Sequence, residues 1–261
     1  MKIFKLAKEQ FERNYDSFID KIRNEIADLN YIEKEIGQIK NKKVYMFIPR
    51  FSLQKKKIFI LSGQHGEELG GPYGLLWFLK NNKQLLKQVA ITFIPIVNIH
   101  GFETGERNGE TGAYQNWFLD EKREFRELGK EADILKQQFN IIVKSAKDGF
   151  LNLHEDATSE GFYLYVLGDT TDIIVSNMLK AGRKYFDYKK DGTYEDNETY
   201  EIKNGIVANH EDGSLDDVMK NKFNIPITVT IETPQRDAEL KNRAMAISDM
   251  AAEFVSGILK K

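Results

Sequence analysis

The chain has 261 residues, a formal charge of −2 and ordinary hydrophobic (41%) and charged (30%) fractions, enough for one large α/β domain or two small ones. So balanced a charge gives no reason to expect nucleic acid or an anionic membrane as partner, and the absence of cysteine excludes disulfides and thiolate metal ligands. No apolar run approaches the ~20 residues of a membrane span, and the first residues hold no apolar core of signal-peptide length, so a cytoplasmic protein is expected.

Residues 8–29 are charged but carry Phe11, Tyr15, Phe18, Ile19, Ile22 and Ile26 at helical spacing, which predicts an amphipathic helix covering a sheet. Strands are predicted at 36–39 and 44–49, joined as a hairpin across Asn41-Lys42-Lys43. The run Ile58 to Leu61 reads as a buried strand that stops at Ser62-Gly63 and is followed by His65, Glu67 and Glu68. Gly70-Gly71-Pro72 then opens a helix to about residue 80, with proline where a missing N–H costs nothing. A strand that ends in a small-residue loop and feeds a helix is where open α/β sheets place ligands. His65 and Glu68, three apart, can aim a ring nitrogen and a carboxylate oxygen at one point, the first half of a zinc site with three protein ligands and an open position. A solvated loop histidine is the bland alternative.

The nearly continuous apolar run 89–97 suits a strand buried on both faces. It ends in Asn98-Ile99-His100-Gly101, ahead of a polar loop over 103–112 that contains Arg107-Asn108. A long helix is predicted over 120–146, with Phe125, Leu128, Ile134, Leu135, Phe139 and Ile142 inward. A strand over 149–153 then delivers His154-Glu155-Asp156, a third candidate ligand again directly after an apolar strand. A strand at 161–167 and a helix at 170–185 precede polar hairpins and loops over 187–213, placed at the rim of a site. A strand at 225–231 ends in Glu232-Thr233-Pro234, and a helix over 237–259 closes the chain. With no repeat or linker, one domain is expected over 1–261, a covering helix and hairpin to residue 56 followed by the core from 57. Apolar runs alternating with helical segments predict an α/β fold, a mixed and mostly parallel central sheet flanked by helices.

His65 with Glu68, His154 and Glu232 thus lie at three strand ends. This order resembles the carboxypeptidase A-like zinc metallocarboxypeptidases and their succinylglutamate desuccinylase/aspartoacylase relatives. His65-Gly66-Glu67-Glu68 matches the family's His-x-x-Glu, Leu153-His154 its third ligand, and Thr230-Ile231-Glu232-Thr233-Pro234 the strand that carries its general base. Asn98-Ile99-His100-Gly101 echoes its Asn-Pro-Asp-Gly segment. The resemblance implies one Zn2+ on His65, Glu68 and His154, Glu232 as base, and Arg107 polarising the scissile carbonyl.

The departures bear on substrate. Where the family carries an Asn-Arg pair for the substrate carboxylate, this chain has Asn116-Trp117. Asn108 and Asn116 are left to hold a carboxylate by neutral hydrogen bonds, and Glu155 and Asp156 put negative charge next to the third ligand. Together these favour a substrate with an amine near the cleaved bond, Glu155 contacting it. Glu155 and Asp156 have two other readings, a second metal with Glu67 or an orienting contact to His154. His100 and His210 are left outside the metal set. The implied function is a zinc-dependent hydrolase, a metallocarboxypeptidase acting on a small peptide. The alternatives are a deacylase of N-acyl amino acids and a non-catalytic family member that only binds zinc or ligand.

Overall fold

The apolar runs become the strands of a single sheet. A computed structural model describes residues 11–51, 55–109, 129–195 and 199–261. Its main sheet has eight strands in the order β1-β2-β4-β3-β5-β10-β6-β9. These are β1 (Tyr31–Ile39), β2 (Lys42–Pro49), β3 (Lys57–Ser62), β4 (Ala90–Ile94), β5 (Gly149–Asp156), β6 (Tyr163–Leu167), β9 (Ile206–Ala208) and β10 (Thr228–Pro234). The central four, β4, β3, β5 and β10, run parallel. Strand β2 is antiparallel to both β1 and β4, whereas β6 is antiparallel to β10 and parallel to β9. A small hairpin, β7 (Gly192–Glu195) with β8 (Thr199–Ile202), lies outside this sheet. The α/β architecture expected from the sequence is present. No described helix is long and apolar enough to cross a membrane.

Helices cover both faces. On one face lie α1 (Tyr15–Ile26), α2 (Gly70–Asn81), α7 (Ile173–Gly182) and α9 (Leu240–Leu259), with α2 and α9 against β5 and α9 against β10. On the other, α5 (Lys130–Gln137) reaches β1, α6 (Phe139–Ser145) reaches β3 and β4, and α8 (Leu215–Asn221) reaches β5, β6 and β10. One buried apolar cluster runs from Tyr15 to Ile258.

Several boundaries moved for local reasons. The first helix starts at Tyr15, because the Asn14 side chain accepts from the Ser17 N–H and caps it there. Strand β4 stops at Ile94, where Pro95 has no N–H to give the ladder. Gly63, at φ +64°, then accepts from both Val97 and Asn98 N–H, fastening that loop to the end of β3. A short helix not expected from the sequence, α4 (Ile99–Thr104), follows, capped by the Asn98 side chain on Gly101 N–H. Two further short helices, α3 (Lys83–Gln88) and α8, were also unforeseen. The helix expected over 120–146 divides at Gln138 in its described part, and residues 120–128 lie outside the described residues. Most consequentially, β5 does not end at Leu153 but continues through Asp156.

Candidate metal centre

Strand register decides which side chains meet. Parallel β5 and β10 pair His154 with Glu232 and Asn152 with Thr230. Antiparallel β10 and β6 pair Glu232 with Tyr163 and Thr230 with Tyr165. Paired residues share a face of the sheet, with neighbouring strands about 4.8 Å apart. Two rows result, His154–Glu232–Tyr163 and Asn152–Thr230–Tyr165, and they floor a cavity of about 490 Å³ on the α8 side. Leu153 and Glu155 alternate to the opposite face, under α2 and α9.

The turn after β3 brings His65 and Glu68 over the first row. Gly66 sits where a Cβ would lie 2.0 Å from the Gly101 carbonyl carbon, so only glycine lets the two loops approach this closely. His65 Nδ1 lies 2.6 Å from Glu68 Oε1, and His154 Nδ1 lies 2.9 Å from Glu68 Oε2. All three side chains are buried, and their donor atoms lie within 4.8 Å of one another. Burial opposes the Glu68 carboxylate, but the two imidazoles outweigh it and hold Glu68 well below the usual range. Burial likewise opposes the His154 imidazolium, and Glu68 outweighs it, lifting His154 to about 9. Two imidazoles and a carboxylate converging in a pocket without thiols fit a divalent ion of borderline character, and the three donors leave a position open toward the cavity. Among the described residues this is the one such group.

Behind this group, Gln64 Oε1 accepts from Asn152 Nδ2 at 2.8 Å and lies 3.2 Å from His154 Nε2. With Nε2–H donating there, the Nδ1 lone pair of His154 is left for the site. Arg107 reaches in from the loop after α4, its Nη1 2.8 Å from Glu67 Oε1 and 3.0 Å from Glu68 Oε1. Glu232 keeps part of its surface open to the cavity. Burial pushes its carboxyl well above the ordinary range, against the pull of His154.

No family model and no curated protein sequence matches the chain. Solved structures do. A candidate metallopeptidase from Shewanella baltica superposes with a TM-score of 0.84 at 24% identity, over 94% of this chain and 92% of the other. One from Shewanella amazonensis gives 0.84 at 25% identity, over 94% and 93%. A metallo-carboxypeptidase from Burkholderia cenocepacia gives 0.64 at 14%, over 94% and 69%. The fold is that of the carboxypeptidase A-like metallopeptidases.

Within this carboxypeptidase-like fold, the residues singled out from the sequence are not all placed alike. His65, Glu68, His154, Arg107 and Glu232 all line the same cavity. Asn108 is not among its lining residues, and Asn116 and Trp117 lie outside the described residues. Glu155 is a lining residue too. Its carboxylate points away from the first row, wholly buried, and takes Arg243 Nη1 at 2.8 Å and Gly70 N–H at 2.8 Å. The reason is alternation: with β5 running on through Asp156, neighbours of His154 must face opposite ways. Asp156 does return to the cavity side, where Lys189, Tyr163 O–H, Thr158 and Ser159 N–H all donate to it. His100 stands apart with Glu106, whereas His210 packs its ring against Tyr165 and Tyr200 in the cavity wall.

Other lining residues escaped the sequence reading. Asn152 and Thr230, each two residues before a named site residue, were available from the period of two. Tyr163 and Tyr165 follow the same rule on β6. Lys189, held within 4.8 Å of the Tyr163 ring and 4.4 Å of the Tyr194 ring, has no sequence signal at all. Nor does Asp216, which α8 lays over Thr230.

Proposed function

We propose that the protein is a zinc-dependent hydrolase that cleaves an amide bond, acting as a metallocarboxypeptidase on peptides that present a cationic side chain. The observation that carries the reading is the row pairing of His154 with Glu232, which sets a basic carboxyl beside the His65–Glu68–His154 group in one cavity. Zinc held by those three residues supplies a Lewis acid that polarises a carbonyl and makes water acidic near neutral pH. Glu232 takes a proton from the attacking water and delivers it to the leaving amine nitrogen, so that the C–N bond breaks as the new C–O bond forms. Its raised basicity suits that role. Arg107, half exposed and able to swing from Glu67, offers N–H donors to the carbonyl oxygen as it gains charge. Gln64 and Asn152 keep His154 in the right tautomer.

The charge around the cavity supports the substrate class. Its two basic lining residues are each engaged, Lys189 by Asp156 and Arg107 by Glu67 and Glu68. Asp216 is buried, accepts from Thr230 Oγ1, feels the pull of His154 and makes no ion pair with lysine or arginine among the described residues. Thr230 precedes Glu232 by two residues on one strand, so Asp216 stands about 7 Å along the sheet from the reacting row. A lysine-like side chain, with its charge on a four-carbon stem, spans that distance. This replaces Glu155 with Asp216 as the acidic contact.

The test uses metal-loaded protein and Glu232→Gln on matched peptides ending in lysine, leucine or glutamate, with free or amidated carboxyl ends, beside N-acyl amino acids. Release of a C-terminal lysine from free-ended peptides, lost in Glu232→Gln with zinc retained, is expected. Turnover of only N-acyl amino acids would give the deacylase reading the site instead. No turnover of any amide, with zinc bound, would leave a binding protein.

A further inference from the structure

The segment ahead of α1 carries a residue that no other part of the site explains. Arg13 sits before the Asn14 cap, and among the described residues its guanidinium hydrogen-bonds only to main-chain carbonyls. Nη1 donates to Gly66 O at 2.7 Å and to Phe102 O at 3.0 Å, and Nη2 to Glu67 O at 3.3 Å. Gly66 and Glu67 are the two residues between the ligands His65 and Glu68. Phe102 belongs to α4, on the loop system that carries Arg107. Gly66 N–H donates in turn to Arg107 O, and Asn98 Nδ2 donates to the same carbonyl. Gly66 and Glu67 are irregular backbone, Phe102 lies on the short helix α4, and none of the three is laddered to the sheet. Their mutual position therefore rests on few bonds, of which Arg13 supplies three.

Arg13 is itself anchored. Tyr73 O–H on α2 accepts from Glu12 N–H and donates to Glu12 O, while Tyr15 N–H donates to Glu103 at the end of α4. Tyr15 O–H reaches Lys43 O. The chain from Glu12 to Tyr15 is thereby bolted to α2, α4 and β2, with the guanidinium projecting between the two site loops. A planar fork of fixed N–H directions suits carbonyls from two loops; a lysine ammonium has no such fork.

We infer that Arg13 is a positioning residue of the metal centre, a clamp that holds the His65–Glu68 turn against the Arg107 loop in the geometry that receives a metal ion. It touches neither ion nor substrate. Its effect is to reduce the motion the ligand loop must lose on binding, so its removal weakens metal affinity and loosens the loop without unfolding the sheet. The inference rests on the metal reading for one of its two readouts only.

The experiment compares the full-length protein with Arg13→Ala, Arg13→Lys and Arg23→Ala. Arg23 is the control, since it lies on α1 but pairs with Asp20 and Glu33, far in partners from the site loops. Amide hydrogen exchange on chelated protein reads the loop directly. Arg13→Ala should speed exchange at Gly66 and Leu69 about tenfold or more, with α9 and the central strands unchanged. Zinc titration against a competing chelator should show about 10–100-fold weaker binding in Arg13→Ala, partial recovery in Arg13→Lys, and wild-type affinity in Arg23→Ala. Unchanged loop exchange in Arg13→Ala overturns the clamp, whatever the zinc result. Faster loop exchange with unchanged zinc affinity removes the metal-positioning role. Equal weakening by Arg23→Ala would mean that helix docking, not the guanidinium, is responsible. If wild-type protein binds no zinc, the metal reading of the previous section fails and, with it, the metal-positioning role; the exchange result then tests the clamp alone.

Discussion

Arg243→Met should destabilise the protein by an amount that grows with pH. Arg243 Nη1 lies 2.8 Å from Glu155 Oε1, with the Glu155 side chain wholly buried and Arg243 nearly so. Glu155 retains Gly70 N–H at 2.8 Å and a longer contact from Gln235 at 3.4 Å. Burial raises the Glu155 carboxyl to about 7 from an ordinary 4.5, even against the pull of Arg243. A carboxyl raised on folding binds its proton more tightly in the native state, so stability is highest at low pH and falls as pH rises from the unfolded value through about 7. At ~1.4 kcal/mol per unit, this single group takes about 3 kcal/mol from the native state across that window. Removing Arg243 raises the carboxyl further and extends the fall above pH 7. At pH 5.5 the neutral carboxyl loses one hydrogen bond, about 1 kcal/mol. At pH 8.5 the variant must bury an unpaired charge, about 3–5 kcal/mol. Urea unfolding of chelated protein at both pH values measures the two penalties. A penalty equal at both, or larger at pH 5.5, would refute this account of Glu155.

Three further outcomes follow from the geometry. Gly66→Ala should force the Gly101 backbone away, since a Cβ there would stand 2.0 Å from it, with zinc affinity falling at least about tenfold in a chelator competition; wild-type affinity would mean that the loops adjust freely. Chelation should lower the melting temperature, the lost stabilisation reaching about 4 kcal/mol when zinc had been present at a thousand times its dissociation constant. His65→Ala should abolish that difference, and a chelator effect that survives in it would place the ion elsewhere. Phe150→Ala removes a fully buried ring that stacks on Phe59 at 5.8 Å, on the same sheet face as Asn152 and His154, and should cost about 3–5 kcal/mol by denaturant unfolding; a cost below about 1 kcal/mol would mean that this face repacks.

The strand ends were legible because burial on both faces writes itself as a mostly apolar run. Ile58 to Leu61 is unbroken, while Phe150 to Leu153 and Val229 to Ile231 are each interrupted once, at Asn152 and Thr230, and all three stop at the polar residues of the candidate site. What the runs do not reveal is where a strand stops once its side chains turn polar. β5 continues through His154-Glu155-Asp156 because backbone pairing with β10 carries on to Pro234 and Asp156, and hydropathy has nothing to say about pairing. Treating Glu155 as a loop residue left its direction open, whereas strand parity sends it under α2 and α9 and returns Asp156 to the cavity.

Residues that reach the site across the fold were illegible for a different reason. Lys189, Asp216 and Arg13 lie 35 or more positions from the nearest ligand or 16 from Glu232, and none stands at a strand end. Each is charged, each sits in a polar stretch, and each would be read from sequence as a solvated side chain. Tertiary contact alone makes them different: three tyrosine rings around Lys189, the Thr230 hydroxyl against Asp216, three carbonyls on Arg13. The residues proposed to bind a metal and move a proton sit where the sheet ends, and chain order discloses them. Those proposed to hold the loop and choose the substrate need only reach that place from any element packed nearby. That freedom lets a fold keep its strand-end residues while everything that surrounds them varies.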